Sequence, residues 1–384
     1  MTRKWLRWMP AVAVPAVIAA GVLSGSLPAN AGDPLPEKTP QEVLLLIAQH
    51  GEKSLSGTLE QSSAIGLPEL PTSGPGAGSP ETAWLELLTG PHTARVYLDG
   101  PANARVQVMD RMAERDAVRH GNELWFYNSK DNTAAHAQLP ADAASRHAAR
   151  PGGVATPEDL AGKLLAKVDA GTDVTVGPDV QVAGRAAYNL ILTPKSDVTL
   201  VNSIAIAVDG ETGLPLGVDL KARGQSEPAF SVAFTNLTLE APDSAIFNFT
   251  PPAGATVKEI PPPDHKADAA KPPSDTAKAK AEKKPTVTGT GWESVLEFPA
   301  GALAMPARTG TPDPATANPL QPGAPLPDGS RSGAGALLEQ AAVAVPGGRL
   351  VSTSLVNVLI LDDGRIFAGS VPLERLQAAA ALGK

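Results

Sequence analysis

The sequence predicts a mainly β chain of the α+β class, built on one large antiparallel sheet of about eleven strands that is greasy on a single face. Three observations predict it. Between Gly184 and Val257 a large aliphatic returns at every second position, as in Leu214, Leu216, Val218 and Leu220. That period of two belongs to strands with one wet and one apolar side. Turn dipeptides punctuate the run: Asp99-Gly100, Gly121-Asn122, Asp209-Gly210 and Thr212-Gly213. Only two segments ahead of residue 257 carry full helix-start signals, each a capping box with Pro at the first helical position.

Taken in order, Arg3, Lys4 and Arg7 precede an apolar stretch over 9–23, and Ala29-Asn30-Ala31 offers a small-x-small cleavage pattern. A signal peptide over 1–31, cut after Ala31, is therefore expected, with export to the cell envelope or the medium. Pro10 and Pro15 interrupt the apolar run, which is shorter than the ~20 residues of a membrane span. Thr39-Pro40-Gln41-Glu42 opens a helix to about Gln49, with Val43, Leu44 and Ile47 on one stripe. A first strand covers 55–62, and 67–80 is a loop rich in Pro, Gly and Ser. Trp84, Leu85, Leu87 and Leu88 form a short apolar turn or helix. Strands over 93–98, 105–110, 113–120, 123–128 and 133–139 make a meander, followed by a polar connection over 140–155. Thr156-Pro157-Glu158-Asp159 starts the second helix, with Leu160, Leu164, Leu165 and Val168 on its stripe. Strands over 174–182, 185–193, 203–208, 214–223 and 230–239 complete a main domain spanning 35–257.

Residues 258–286 are Pro, Ala, Lys and Asp with almost no large aliphatics, the composition of a disordered linker. The extension 287–384 holds one strand over 292–298, a Pro/Gly-rich stretch over 299–332 and a hairpin. That hairpin pairs 350–361 with 365–371 around Asp363-Gly364, and a helix begins at Pro372 and is stopped by Gly383. With about fifty orderable residues this tail is marginal alone, so it is expected to dock on the main domain or on a partner.

The composition narrows the function. A net charge of −8 excludes nucleic acid, which wants a clustered basic face. The absence of cysteine excludes disulfides, thiolate metal sites, Cys nucleophiles and a lipidated Cys. Heavy use of Ala, Gly, Pro and Val suits a high-GC actinobacterial source. No Gly-x-Ser-x-Gly, phosphate-binding loop, His-Glu-x-x-His or dinucleotide motif occurs. The six histidines, His50, His92, His120, His136, His147 and His265, lie at no metal-ligand spacing. Glu114, Asp116 and Glu123 alternate with Arg115 and Arg119 and read as an ion-paired wet face. No catalytic residue, metal or cofactor is expected, and the chain does not read as an enzyme.

What remains is apolar surface. About two dozen large apolar side chains on one sheet face are each worth ~1.5–3 kcal/mol once covered. Two short helices shield only part of that, so the sheet curls on itself, the tail covers it, or a lipid does. The candidate lining is Val96, Leu98, Val106, Val108, Leu190, Leu192, Ile204, Ile206, Leu216, Val218, Phe230, Val232 and Phe234, with Leu44 and Ile47 as lid contacts. Trp125 and Tyr127 join the lining as one face of the only aromatic triplet, in a chain that is 4% aromatic; the other reading of the pair is plain core.

Four phrases carry a family resemblance. They are Val182-Ala183-Gly184-Arg185-Ala186-Ala187-Tyr188-Asn189-Leu190, Val208-Asp209-Gly210-Glu211-Thr212-Gly213-Leu214-Pro215-Leu216, Phe234-Thr235-Asn236-Leu237, and Phe247-Asn248-Phe249-Thr250-Pro251-Pro252-Ala253-Gly254-Ala255. With the strand at 123–128 they resemble the LolA/LolB-like superfamily of envelope proteins, in its LolA-like, sporulation-lipoprotein and RseB/MucB N-terminal branch. The resemblance implies an unclosed antiparallel half-barrel with helices over the concave face, a cavity for lipid or lipoprotein acyl chains, and no cofactor. It implies a lipid or lipoprotein carrier or, alternatively, an RseB-type envelope-stress sensor that regulates a membrane anti-sigma factor. The partners implied are acyl chains and a single-span membrane protein, either an anti-sigma factor or a transporter. The loop at 67–80 and the tail are extra to the family pattern, and the lid-locking arginine of the Gram-negative carrier has no assigned counterpart here, Arg95 included.

Overall fold

The computed structural model describes residues 34–51, 53–66, 90–109, 113–139, 155–260, 285–300 and 342–382. The expected signal peptide, the loop at 67–80, the apolar turn at 84–88 and nearly all of the connection at 140–155 lie outside these residues. So do most of the expected linker and of the Pro/Gly-rich stretch at 299–332.

Twelve strands form the main sheet. In chain order they are β1 (Ser54–Ser63), β2 (His92–Asp99), β3 (Asn103–Met109), β4 (Glu114–His120), β5 (Glu123–Asn128), β6 (Thr133–Gln138), β7 (Thr172–Val182), β8 (Arg185–Pro194), β9 (Val201–Asp209), β10 (Pro215–Ala222), β11 (Phe230–Thr238) and β12 (Thr256–Ile260). Their spatial order is β12-β6-β5-β4-β3-β2-β1-β11-β10-β9-β8-β7. Two meanders, β1 to β6 and β7 to β11, join where β1 pairs with β11. The sheet stays open, with β7 and β12 as its edges, which is the unclosed half-barrel that the sequence leads one to expect.

One pairing departs from the expectation. β12 runs parallel to β6, with Thr256 opposite Thr133 and Ile260 opposite Ala137. It extends three residues into the segment read as linker, and all five of its residues are exposed. A strand without a buried face has no alternation to betray it.

Two α-helices accompany this sheet among the described residues, α1 (Pro40–Gln49) and α2 (Pro157–Leu165). Both open as their capping boxes predict. The Thr39 hydroxyl accepts from Glu42 N–H while Thr39 N–H donates to Glu42 Oε2. Thr156 and Asp159 repeat the reciprocal pair.

The tail forms a second sheet, larger than the lone strand and hairpin expected. Its strands are β13 (Thr286–Thr288), β14 (Val295–Phe298), β15 (Val343–Val345), β16 (Gly348–Ser352), β17 (Asn357–Leu361) and β18 (Ile366–Gly369), ordered β13-β14-β18-β17-β16-β15. The segment 350–361, read as one strand, is split between β16 and β17 by a turn. There Thr353 Oγ1 accepts from Leu355 and Val356 N–H groups and donates to Val356 O. A Thr side chain closes this turn where the sequence offers no Gly or Pro. Helix α3 (Leu373–Leu382) packs on one face of this sheet, burying Leu376, Ala379 and Ala380 against Leu359 and Phe367.

The second sheet docks on the first at three places. Ser370 O accepts from Leu200 N–H at 2.8 Å and from Thr199 Oγ1 at 2.8 Å. Ser354 N–H donates to Ile65 O at 2.9 Å. Trp292 Nε1 donates to Thr172 Oγ1 at 2.8 Å, and Ser196 Oγ donates to Glu293 Oε1 at 2.6 Å.

Candidate ligand-binding face

Residues directly opposed across an antiparallel pair point to the same side of the sheet, so the register sorts the candidate lining. Leu190 and Leu192 oppose Ile206 and Ile204, which oppose Val218 and Leu220. These in turn oppose Val232 and Phe230. Phe234 faces Leu59, Leu59 faces Ala94, and Ala94 faces Val108, while Leu55 faces Leu98. Val96 faces Val106, and Leu216, at the register irregularity between Pro215 and Gly217, is buried in one cluster with Val96, Val106 and Phe234. Every candidate from β2, β3, β8, β9, β10 and β11 therefore lies on one continuous face, and all but the half-buried Phe230 are buried.

Trp125 and Tyr127 do not join them. Val106 opposes Ala117 and Ala117 opposes Phe126, so Phe126 and Leu124 carry the apolar face onto β5. Trp125 opposes Val118 and Tyr127 opposes Asp116, on the back of the sheet. This corrects the expected lining: strand alternation separates the two pairs, and only the register of the hairpin at Gly121-Asn122 decides which goes where. On the back, Trp125 stacks on His136 with centroids 4.2 Å apart, and Phe249 leans on Trp125 and Tyr127 at 5.6 and 5.9 Å. His136 Nδ1 lies 2.9 Å from Glu259 Oε2 on β12. The Phe247-x-Phe249 phrase is thus the strap that closes the main sheet over its reverse side.

Arg105 anchors that strap, donating to Ile246 O at 2.9 Å and to Asp116 Oδ2 at 2.6 Å. The Asp116 side chain is buried, so the expected wet face is dry at this point and its ion partner is Arg105 across β3–β4. Burial pushes the Asp116 carboxyl above the usual range, against the opposing pull of Arg105.

The apolar side is covered by both helices. α1 buries Val43 and Ile47 and leaves Leu44 and Leu46 half-buried, so Val43, absent from the expected lid, is its deepest residue. It packs over β7 and β8, with the Lys38 ammonium 5.9 Å from the centre of the Tyr188 ring. The turn between β9 and β10 meets α1 at Gly213, where φ is +77° and a Cβ would run into Leu46 O. Asp209 shapes this turn, accepting from Arg185 Nε at 2.7 Å and from Thr212 Oγ1 at 2.6 Å. Burial works to raise its pKa, but the bonds from Arg185 and Thr212 outweigh burial and hold it below the usual carboxylate value.

α2 lies on β10 and β11 and buries Pro157 and Ala161, with Leu160, Leu164 and Leu165 half-buried. Its stripe is thus turned from the one expected, toward the small residues. Thr156 and Glu158 at its start, with Leu55, Val96, Leu98, Leu214 and Phe234, enclose a cavity of about 10 Å³, room for one water. His50 Nε2 bridges to Glu158 Oε1 at 3.3 Å, tying the end of α1 to the start of α2. Beneath, the Phe234 ring lies across Gly57, where a Cβ would stand 2.6 Å from Asn236 O and 2.8 Å from Phe234 Cδ1. The protein thus covers its own apolar face.

The two covers bury different side chains: α1 buries two large aliphatics, each worth ~1.5–3 kcal/mol, and α2 a Pro and an Ala, with Leu160, Leu164 and Leu165 half-buried beside them. Among the described residues no group of three or more His, Asp or Glu is placed to hold a metal.

No family model matches the chain, and no curated protein matches it. Solved structures similar to it include MucB of Pseudomonas aeruginosa in its complex with MucA, at 16% identity and TM-score 0.39, covering 89% of this chain and 96% of that one. An uncharacterized conserved protein from Thermus thermophilus aligns at 12% identity and TM-score 0.33, over 57% of this chain and 98% of that one. A LolA superfamily protein from Nitrosomonas europaea aligns at 11% identity and TM-score 0.21, over 56% and 99%.

Proposed function

We propose that this chain is an exported acyl-chain-binding protein of the cell envelope, a carrier of lipid or of lipoprotein acyl chains, seen in its closed form. One observation carries the reading: directly opposed apolar residues make a continuous face from β3 to β8 under two short helices, of which α2 fully buries only Pro157 and Ala161 of its own residues. The cavity of about 10 Å³ admits no fatty tail as it stands, so binding requires α2 to lift. A sixteen-carbon chain gains ~0.8 kcal/mol per buried methylene, about 12 kcal/mol gross, which offsets the exposure of α2. The charged, apolar and small-x-small N-terminus supports export. Native mass spectrometry of protein purified from its own host, with titration of a fluorescent fatty acid, tests the reading. Co-purified lipid and saturable binding are expected; a clean apo mass together with no binding overturns it.

The docked second sheet favours another reading, since a simple carrier needs none. On it the chain is an RseB-type sensor and works as MucB does with MucA, by binding a partner protein, here a single-span membrane protein such as an anti-sigma factor or a transporter. Pull-down of the exported protein recovers that partner. Recovery unchanged after deletion of residues 287–384 argues against the tail as the contact.

A further inference from the structure

One turn serves both helix α2 and the second sheet. Residues 166–171 alone separate α2 from β7. Within them Asp169 Oδ1 accepts from Gly171 N–H at 2.8 Å, and Thr172 N–H donates back to Asp169 O at 3.1 Å, which leaves the turn little slack. The segment Gly291–Glu293 of the second sheet seats on it. A Cβ at Gly291 would stand 2.7 Å from Asp169 Oδ2. Trp292 Nε1 donates to the buried Thr172 at 2.8 Å. Glu293 accepts from Ser196 Oγ on one oxygen and from Arg375 Nη2 of α3, at 2.9 Å, on the other. The root of α2 is therefore a foothold of the second sheet.

We infer that the second sheet is a clamp on α2: docked, it holds the helix against the apolar face, and a ligand that lifts the helix loosens the dock. The clamp rests on the reading of α2 as the element that rises. Its leverage comes from the other two attachments, Ser370 at Leu200 and Ser354 at Ile65, which fix the sheet independently of α2. Coupling of this kind is reciprocal, so the factor by which docking weakens acyl binding is the factor by which acyl binding weakens docking.

The chain has no cysteine, so Asp169→Cys with Gly291→Cys in the full exported protein gives a single disulfide that locks the junction. Amide exchange of residues 157–165 is expected to slow on oxidation, and affinity for a fluorescent long-chain fatty acid to fall about tenfold, both restored by reductant. Gly291 has φ +56°, which strains any side chain there, so Trp292→Ala provides the opposite and independent arm: faster exchange over 157–165 and tighter probe binding. Exchange over 157–165 that is the same in wild type, oxidised and Trp292→Ala proteins overturns the clamp. A wild type that binds no probe while the exchange differences persist sinks the acyl reading and leaves the clamp standing.

Discussion

Asp209 is almost fully buried, and its carboxylate holds Arg185 and the Thr212 turn at once. Replacing it with Ala leaves the Arg185 guanidinium on Glu211 alone of its two carboxylate partners and opens the turn that seats α1, a loss of about 2 kcal/mol in urea denaturation. Its depressed pKa fixes the sign of a pH effect. The stability it contributes is present above its unfolded value, near 3.8, and is lost as pH falls through the lower folded value. Asp116, raised by burial, acts oppositely: its contribution is complete below 3.8 and is lost as pH rises through its folded value. Asp209→Asn should therefore flatten the fall in stability below pH 3.8, measured as urea midpoints against pH, and Asp116→Asn should remove a gain that lies above pH 3.8, where the pH falls from the folded value of Asp116 toward 3.8. Gly57→Ala, with its Cβ forced onto Asn236 O and Phe234, should cost about 1–3 kcal/mol. Little of this was legible in the sequence. The Asp209-Gly210-Glu211-Thr212-Gly213 phrase stood out as a turn, but nothing local says that Arg185 reaches it or that Leu46 rests on it.

Among the elements, helix starts were legible because their chemistry is local. Thr39 and Glu42, and Thr156 and Asp159, satisfy each other within four residues whatever the rest of the chain does. Thr156→Ala should lower stability by about 1 kcal/mol and raise amide exchange most within 157–165, the helix with least burial to compensate. Strands with one buried face were equally legible. β12 and the break between β16 and β17 were not, since the first has no buried face and the second turns on a Thr hydroxyl in place of Gly or Pro.

Over the whole molecule, the apolar face was readable as a set and misread at one strand, because alternation gives parity within a strand while register gives it between strands. That error yields a contrast. Phe234→Ala enlarges the cavity beneath α2, so fatty-acid probe affinity should rise while stability falls by about 3–5 kcal/mol. Trp125→Ala, on the reverse side, should leave probe affinity within about twofold, whatever its cost to stability. The parallel pairing of β12 with β6 has a consequence for how the molecule comes into being. Strand β6 is made early, yet its outer edge stays bare until Glu259 arrives to meet His136, a separation of 123 residues. During synthesis the nascent meander therefore trails an unpaired row of amides and carbonyls until residues 256–260 emerge, an invitation to mispairing.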